Sequence, residues 1–250
     1  MKKNPIEQFQ KEVLERIKSY PNNKPLQESG KKFLKEIVKA KYVYNFSWLG
    51  IPVIQIPQDL QALQEIIWEV KPDLIIETGI AHGGSLVFMA SMLTILEACG
   101  KIKKGHVVGI DINIRPHNKK VILSHPLNKK ISMFEGSSID KKIVEKVIKL
   151  TKNKEKVLVC LDSDHTHDHV LAELKVYTPM VSVGSYCIVE DTGIEDLPIS
   201  PSTRPWGKGN NPKTAVWEFL KDNRQFKIDR IIESKLILLG SPNGYLKRIK

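Results

Sequence analysis

Two periodicities divide the chain. Up to about residue 41, apolar side chains recur three and four positions apart among lysines and glutamates, so residues 5–20 and 26–41 are predicted as amphipathic helices. Phe33, Leu34, Ile37 and Val38 carry the period in the second, and Pro21-Asn22-Asn23 marks the break between the two. Residues 42–57 are aromatic and extended, with Gly50 and two prolines. Residues 59–70 return to a helical period, with Asp59 as the predicted cap.

From Leu74 onward short apolar runs alternate with helical stretches. Strands are predicted at Leu74-Ile75-Ile76, at 107–110, at 131–134, at 157–161 and at 186–189; helices are predicted over 84–98, 139–150, 166–177 and 213–222. This order implies βαβ units and an α/β fold: a doubly wound, mostly parallel sheet covered on both faces, over residues 59–250, with residues 1–58 as an N-terminal helical and aromatic extension. Residues 225–231 and 243–249 read as strands connected through Ser241-Pro242-Asn243-Gly244, a terminal hairpin that adds an antiparallel edge. Residues 192–212 are rich in Gly, Pro, Ser and Asn, include Trp206, and are long enough to act as a lid.

Composition narrows the class. The 250 residues are 41% hydrophobic and 27% charged, as in ordinary globular domains, and no stretch approaches the ~20 apolar residues that span a bilayer. The N-terminus has no apolar signal core, and Cys99, Cys160 and Cys187 lack metal-ligand spacing, so a cytoplasmic protein with buried reduced thiols is expected. The net charge of +11 raises the question of nucleic acid, but the excess is lysine spread along the chain without an Arg-rich, aromatic-interleaved patch; no nucleic-acid partner is expected.

Ligands of such sheets bind at the carboxyl ends of the strands. There the first strand runs into Glu77-Thr78-Gly79-Ile80-Ala81-His82-Gly83-Gly84-Ser85, a turn in which glycines let a ligand approach the backbone. Asp111 closes the second strand, where a carboxylate can accept from ribose hydroxyls. Glu77 beside the turn would repel a pyrophosphate and suits a ligand carrying a sulfonium and an ammonium. After the third strand, Ser137 in Glu135-Gly136-Ser137-Ser138 is placed to meet an adenine edge, or the segment is a polar turn with Ser138 capping the next helix.

Asp162 and Asp164 follow the fourth strand, and Glu190 and Asp191 the fifth. Carboxylates brought together there repel unless a cation lies among them, and all-oxygen donors favour Mg²⁺ or Ca²⁺ over zinc. His165, His167 and His169 alternate at a helix start, where i and i+2 residues do not share a face; a zinc site is disfavoured, and His165 or His167 is a candidate general base.

The runs Trp48-Leu49-Gly50, IIETGIAHGGS (75–85), GIDI (109–112), LDSDHTHDHVLAEL (161–174) and GSYCIVEDT (184–192), with the closing Gly244-Tyr245-Leu246-Lys247-Arg248, resemble the cephalosporin hydroxylase family, also described as rhamnosyl O-methyltransferase-like. The likeness runs from about residue 43 to the C-terminus. It implies a Rossmann-like class I methyltransferase fold that binds S-adenosylmethionine and Mg²⁺, methylates a hydroxyl of a sugar or a glycosylated or secondary metabolite, such as a surface-polysaccharide precursor, and often works as a homo-oligomer. Glu77, Gly79, Gly83, Ser85, Asp111, Ser137 and Asp162 are the expected cofactor contacts. Asp162 or Asp164, with Glu190 and Asp191, are the expected metal ligands. The alternative is an oxidoreductase of hydroxylase type on the same fold, against which stands the absence of a His-His-carboxylate iron triad from the sequence.

Overall fold

A computed structural model describes residues 4–197 and 203–250; the part of the expected lid between them lies outside the described residues. Two helices open the chain, α1 (Pro5–Ser19) and α2 (Lys24–Lys39), each with an asparagine cap, Asn4 or Asn23, and an early proline that fits a first turn. Next comes a hairpin of β1 (Phe46–Trp48) and β2 (Ile51–Val53). Leu49 and Gly50 both have positive φ there, as a two-residue turn with the strands' own twist requires.

The remaining order is α3 (Pro57–Val70), β3 (Leu74–Thr78), α4 (Gly84–Ala98), β4 (His106–Asp111), α5 (Pro116–Ser124), β5 (Ile131–Glu135), α6 (Lys141–Thr151), β6 (Val157–Leu161), α7 (His167–Tyr177), β7 (Tyr186–Val189), α8 (Pro212–Asp222), β8 (Phe226–Ile228), α9 (Arg230–Lys235) and β9 (Tyr245–Arg248). The main sheet has the order β5-β4-β3-β6-β7-β9-β8; the first five strands are parallel, and β9 runs antiparallel between β7 and β8. The fold is the expected doubly wound α/β sheet with a helical N-terminus.

Strand periodicity sorts the core into two layers. Ile75, Leu158, Cys160 and Ile188 pack with α3 and α4 on one face. Leu74, Ile76, Val159 and Val189 point the other way and pack with α6, α7 and α8. The hairpin lies on α4: the Trp48 indole N–H donates to Ser91 Oγ at 3.0 Å, and the Trp48 and Phe88 rings meet edge to face. At the other end α1 packs against α9, and Gly30 of α2 lies against Ile237.

Four local expectations are corrected. Asp59 does not cap α3, because Pro57 already sets the first turn; Asp59 is instead buried, accepting from Gly240 N at 2.9 Å and from the Tyr245 hydroxyl at 3.0 Å. The strand predicted over 225–231 ends at Ile228, because the Asp229 carboxylate accepts from the N–H groups of Ile231 and Ile232 and starts α9. Helix α5 has no counterpart among the predicted helices, because its apolar period is weak and interrupted by lysines. Cys99 is exposed at the end of α4, whereas Cys160 and Cys187 are buried, and all three are free thiols.

Candidate active site

Parallel pairing continues one residue beyond the strands. Gly136 N donates to Asp111 O, Gly79 N to Ile110 O, Asp162 N to Thr78 O and Glu190 N to Leu161 O, at 2.7–3.0 Å. These rungs place the strand tips side by side, so the acidic residues at those tips are neighbours by backbone geometry.

The glycine turn is held from three sides. Asp111 Oδ2 accepts from Ile80 N at 2.8 Å, and its Oδ1 accepts from Asn113 N at 2.9 Å. From α5, Asn118 donates to Ala81 O at 2.7 Å, and its amide oxygen lies 3.3 Å from the His82 ring. Gly79 and Gly83 have φ of 86° and 89°; a side chain at Gly79 would run into the Asp162 carbonyl, and one at Gly83 into Ile122. Both glycines therefore serve the turn's own packing first, and α5 supplies two of the groups that fix it.

Glu77 is buried under this turn and accepts from Ser85 Oγ at 2.9 Å. Burial pushes its carboxyl up to about 8; Ser85 works the other way, while Glu190 and Asp111 add to the rise. A cation arriving beside Glu77 would offset that cost. Ser137 is half-buried in the loop after β5, whose next residue, Ser138, is buried; the cap of α6 is Asp140, whose Oδ1 accepts from Lys142 N and Ile143 N.

One donor atom each from Asp162, His165 and Asp191 lies within 4.8 Å of the others. His165 Nε2 is 3.2 Å from Asp191 Oδ2. Asp191 itself has φ of 56°, a left-handed turn that aims it back over the tip of β6. Burial first, then Asp191, Glu190 and Glu77, hold the Asp162 carboxyl well above the usual carboxylate range. The two carboxyl groups, of which the buried Asp162 resists ionisation, and one imidazole form a donor set able to take a hard divalent cation with the histidine at its edge.

The other expected ligands face different partners. Asp164 Oδ1 accepts from Thr166 N at 2.8 Å at the start of α7; burial raises its carboxyl, but the Thr166 bonds and nearby His169 and His165 outweigh that and bring it below the ordinary range. Glu190 is buried and accepts from Ser241 Oγ at 2.5 Å; burial, then Asp59, push it up to about 8. His167 is clamped between Thr214 Oγ1, at 2.8 Å from Nδ1, and Glu218 Oε2, at 3.2 Å from Nε2, while its backbone N–H donates to Asn210. It ties α7 to α8, outside the Asp162 cluster.

The ends of the 192–212 segment are bound to each other. Glu195 accepts from Gly209 N and from the Asn211 amide, and Lys213 pairs with Asp196 at 2.6 Å. This frame presents Trp206 edge-on to His165, with ring centroids 4.9 Å apart, and Arg204 lies 5.1 Å over the Trp206 ring. An aromatic wall with a cation thus stands beside the Asp162–His165–Asp191 cluster. Sequence reading gave no role to Asn118, Ser241 or Glu173, whose partners lie 37, 51 and 10 residues away along the chain.

Known proteins share this architecture. Residues 40–249 match the family described as Rhamnosyl O-methyltransferase/CmcI. The chain is 31% identical to the rhamnosyl O-methyltransferase of Mycobacterium bovis over 232 residues, which is 91% of this chain and 86% of that one. It is 29% identical to the rhamnosyl O-methyltransferase of Mycobacterium leprae, over 84% and 86% of the two chains. Among solved structures, CmcI-D160 with Mg and SAM superposes with a TM-score of 0.58 at 18% identity, covering 83% of this chain and 78% of the other. A putative caffeoyl-CoA O-methyltransferase from Staphylococcus aureus does so at 0.52 and 17%, over 79% and 84%.

Proposed function

The chain belongs to the rhamnosyl O-methyltransferase/CmcI family of S-adenosylmethionine-dependent O-methyltransferases, and from that premise we propose that it methylates a hydroxyl of a sugar or glycosylated metabolite with the help of Mg²⁺. The single observation that carries the reading is the meeting of Asp162, His165 and Asp191 within 4.8 Å beside the glycine turn. When bound, S-adenosylmethionine supplies an electrophilic methyl group, and Mg²⁺ lowers the pKa of the hydroxyl that receives it.

Asp162 and Asp191 hold the cation, with Glu190 behind them. Glu77, Gly79, Gly83, Ser85, Asp111 and Ser137 line the cofactor side, where Asp111 keeps one lone pair, on Oδ1, free for a ribose hydroxyl beyond the three backbone bonds it accepts. His165 is the general base: its imidazole would take the proton of the acceptor hydroxyl as that oxygen is methylated. Its Nε2, 3.2 Å from Asp191 Oδ2, fixes the orientation of the ring. Trp206 packs against a ring of the acceptor, and the pinned ends of residues 192–212 keep it there. A CmcI structure with Mg and SAM supports the choice of cofactors, and relatives named rhamnosyl O-methyltransferase support a sugar acceptor.

Residues 59–250 form the transfer domain and residues 1–58 its extension, in a cytoplasmic homo-oligomer. In support of self-association, α1 buries Ile17 but leaves Ile6 and Phe9 exposed. Calorimetric titration of Asp191→Ala tests the cation site. Mg²⁺ binding should be lost while, in the absence of Mg²⁺, S-adenosylhomocysteine binds within about threefold of wild type, about 0.7 kcal/mol. Unchanged Mg²⁺ affinity, or binding of NAD(P) in place of S-adenosylhomocysteine, refutes the reading.

A further inference from the structure

His169, Glu173 and Tyr177 stand four residues apart on α7 and share one face. That face points inward: Glu173 and Tyr177 have no exposed surface. His169 Nε2 lies 3.0 Å from Ser138 Oγ and 3.2 Å from Ser163 Oγ. Ser163 Oγ donates to Glu173 Oε1 at 2.8 Å, and the Tyr177 hydroxyl donates to the Ser138 carbonyl at 2.7 Å. Two bonds from α7 therefore hold Ser138, and two more hold Ser163.

These serines sit at telling places. Ser138 follows Ser137 in the loop after β5, and Ser163 follows Asp162 at the tip of β6. In the sheet, β4 and β3 separate β5 from β6, so no strand pairing joins the two segments directly. We propose that the stripe is a brace, in which His169 and Glu173 are positioning residues that fix the cofactor-side loop to the cation-side tip and make the two sites bind as a coupled unit. The proposal rests on the functional reading above.

Two observations carry it. A fully buried glutamate is expensive, and an apolar residue in its place would serve the core at least as well. Moreover, Glu173 Oε2 is buried with no hydrogen-bond partner among the described residues, a cost that a purely structural tie would not need to retain. The network is not a nucleophile relay. Both serine hydroxyls and Glu173 Oε1 meet the same ring nitrogen of His169, whereas a relay needs the two ring nitrogens on opposite partners.

The test titrates the full-length protein with S-adenosylhomocysteine, without and with saturating Mg²⁺, in wild type, His169→Leu, His169→Gln and Ser138→Ala. Wild type should bind the product at least about fivefold more tightly with Mg²⁺, the lower end of ordinary site–site coupling. His169→Leu and Ser138→Ala should weaken product binding about tenfold and bring that Mg²⁺ factor close to one, while His169→Gln, which keeps a donor near Nε2, should retain most of it. Ser138→Ala leaves α7 untouched and decides the matter if His169→Leu does not fold. A folded His169→Leu or Ser138→Ala with wild-type affinity and Mg²⁺ factor, or one that only lowers the melting temperature, overturns the brace. Wild type that binds neither the product nor Mg²⁺ overturns the functional reading itself, a distinct result.

Discussion

Gly79→Ala isolates the contact on which the site's geometry turns. Gly79 has φ of 86°, and a side chain there would lie inside the Asp162 carbonyl, against backbone that cannot swing away. Left-handed strain costs an alanine about 1 kcal/mol. Overpacking against a fixed backbone adds about 1–3 kcal/mol, because the tips of β3 and β6 must part by about 1 Å. Gly100→Ala is the control: Gly100 also has positive φ, 65°, but nothing lies within 4 Å of its missing side chain. At about 2–4 °C per kcal/mol for a chain of this size, Gly100→Ala should lower the melting temperature by about 2–4 °C and Gly79→Ala by about 5–15 °C. Displacing Asp162 from the turn should also weaken S-adenosylhomocysteine at least about tenfold in Gly79→Ala alone, a loss of about 1.4 kcal/mol. Differential scanning fluorimetry and calorimetric titration read both effects. A Gly79→Ala protein that melts and binds like Gly100→Ala would refute the argument that this close approach sets the distance between cofactor turn and cation ligands.

Two further outcomes follow from the buried acids and from the clamp on α8. Glu77, pushed up to about 8 by burial, holds its proton more tightly folded than unfolded, where a glutamate titrates near ~4.3; between those values rising pH costs stability. Asp59, at about 7, and Glu190, at about 8, act in the same direction. The ligand-free melting temperature should therefore fall as pH is raised from about 5 to about 8.5, and Glu77→Gln should flatten part of that slope; a wild-type profile that stays level would contradict the assignment. His167→Ala removes two side-chain bonds, worth about 1–2 kcal/mol together, and should lower the melting temperature by a few degrees while leaving product binding unchanged. A large loss of transfer without a change in melting temperature would instead return His167 to the role of base.

Strand and helix order were legible because periodicity is a local property. A strand with both faces covered is apolar throughout most of its length, as Leu74–Thr78 and Val157–Leu161 are, and the helices between carry their own stripe. The glycine turn and the acids at the strand ends were legible for the same reason: each lies at or immediately after the end of its run. Boundaries failed where a single polar group or proline decided them. Asp229 converts the end of a predicted strand into α9, and Pro57 displaces Asp59 from the cap into a tie to Gly240 and Tyr245.

The sequence by itself determined the α/β class, the parallel core strands and the set of acidic and imidazole groups delivered to one edge of the sheet, since all of these follow from side-chain type and spacing along the chain. Only the tertiary structure decided which of those groups meet. Asp162, His165 and Asp191 converge because the rungs past the strand tips align them and because Asp191 turns left-handed, while Asp164, Glu190 and His167 are drawn to Thr166, Ser241, Thr214 and Glu218. Those partners lie up to 51 residues away. A hydrogen bond between elements depends on how helices and strands stack in space, and no pattern confined to neighbouring residues encodes that.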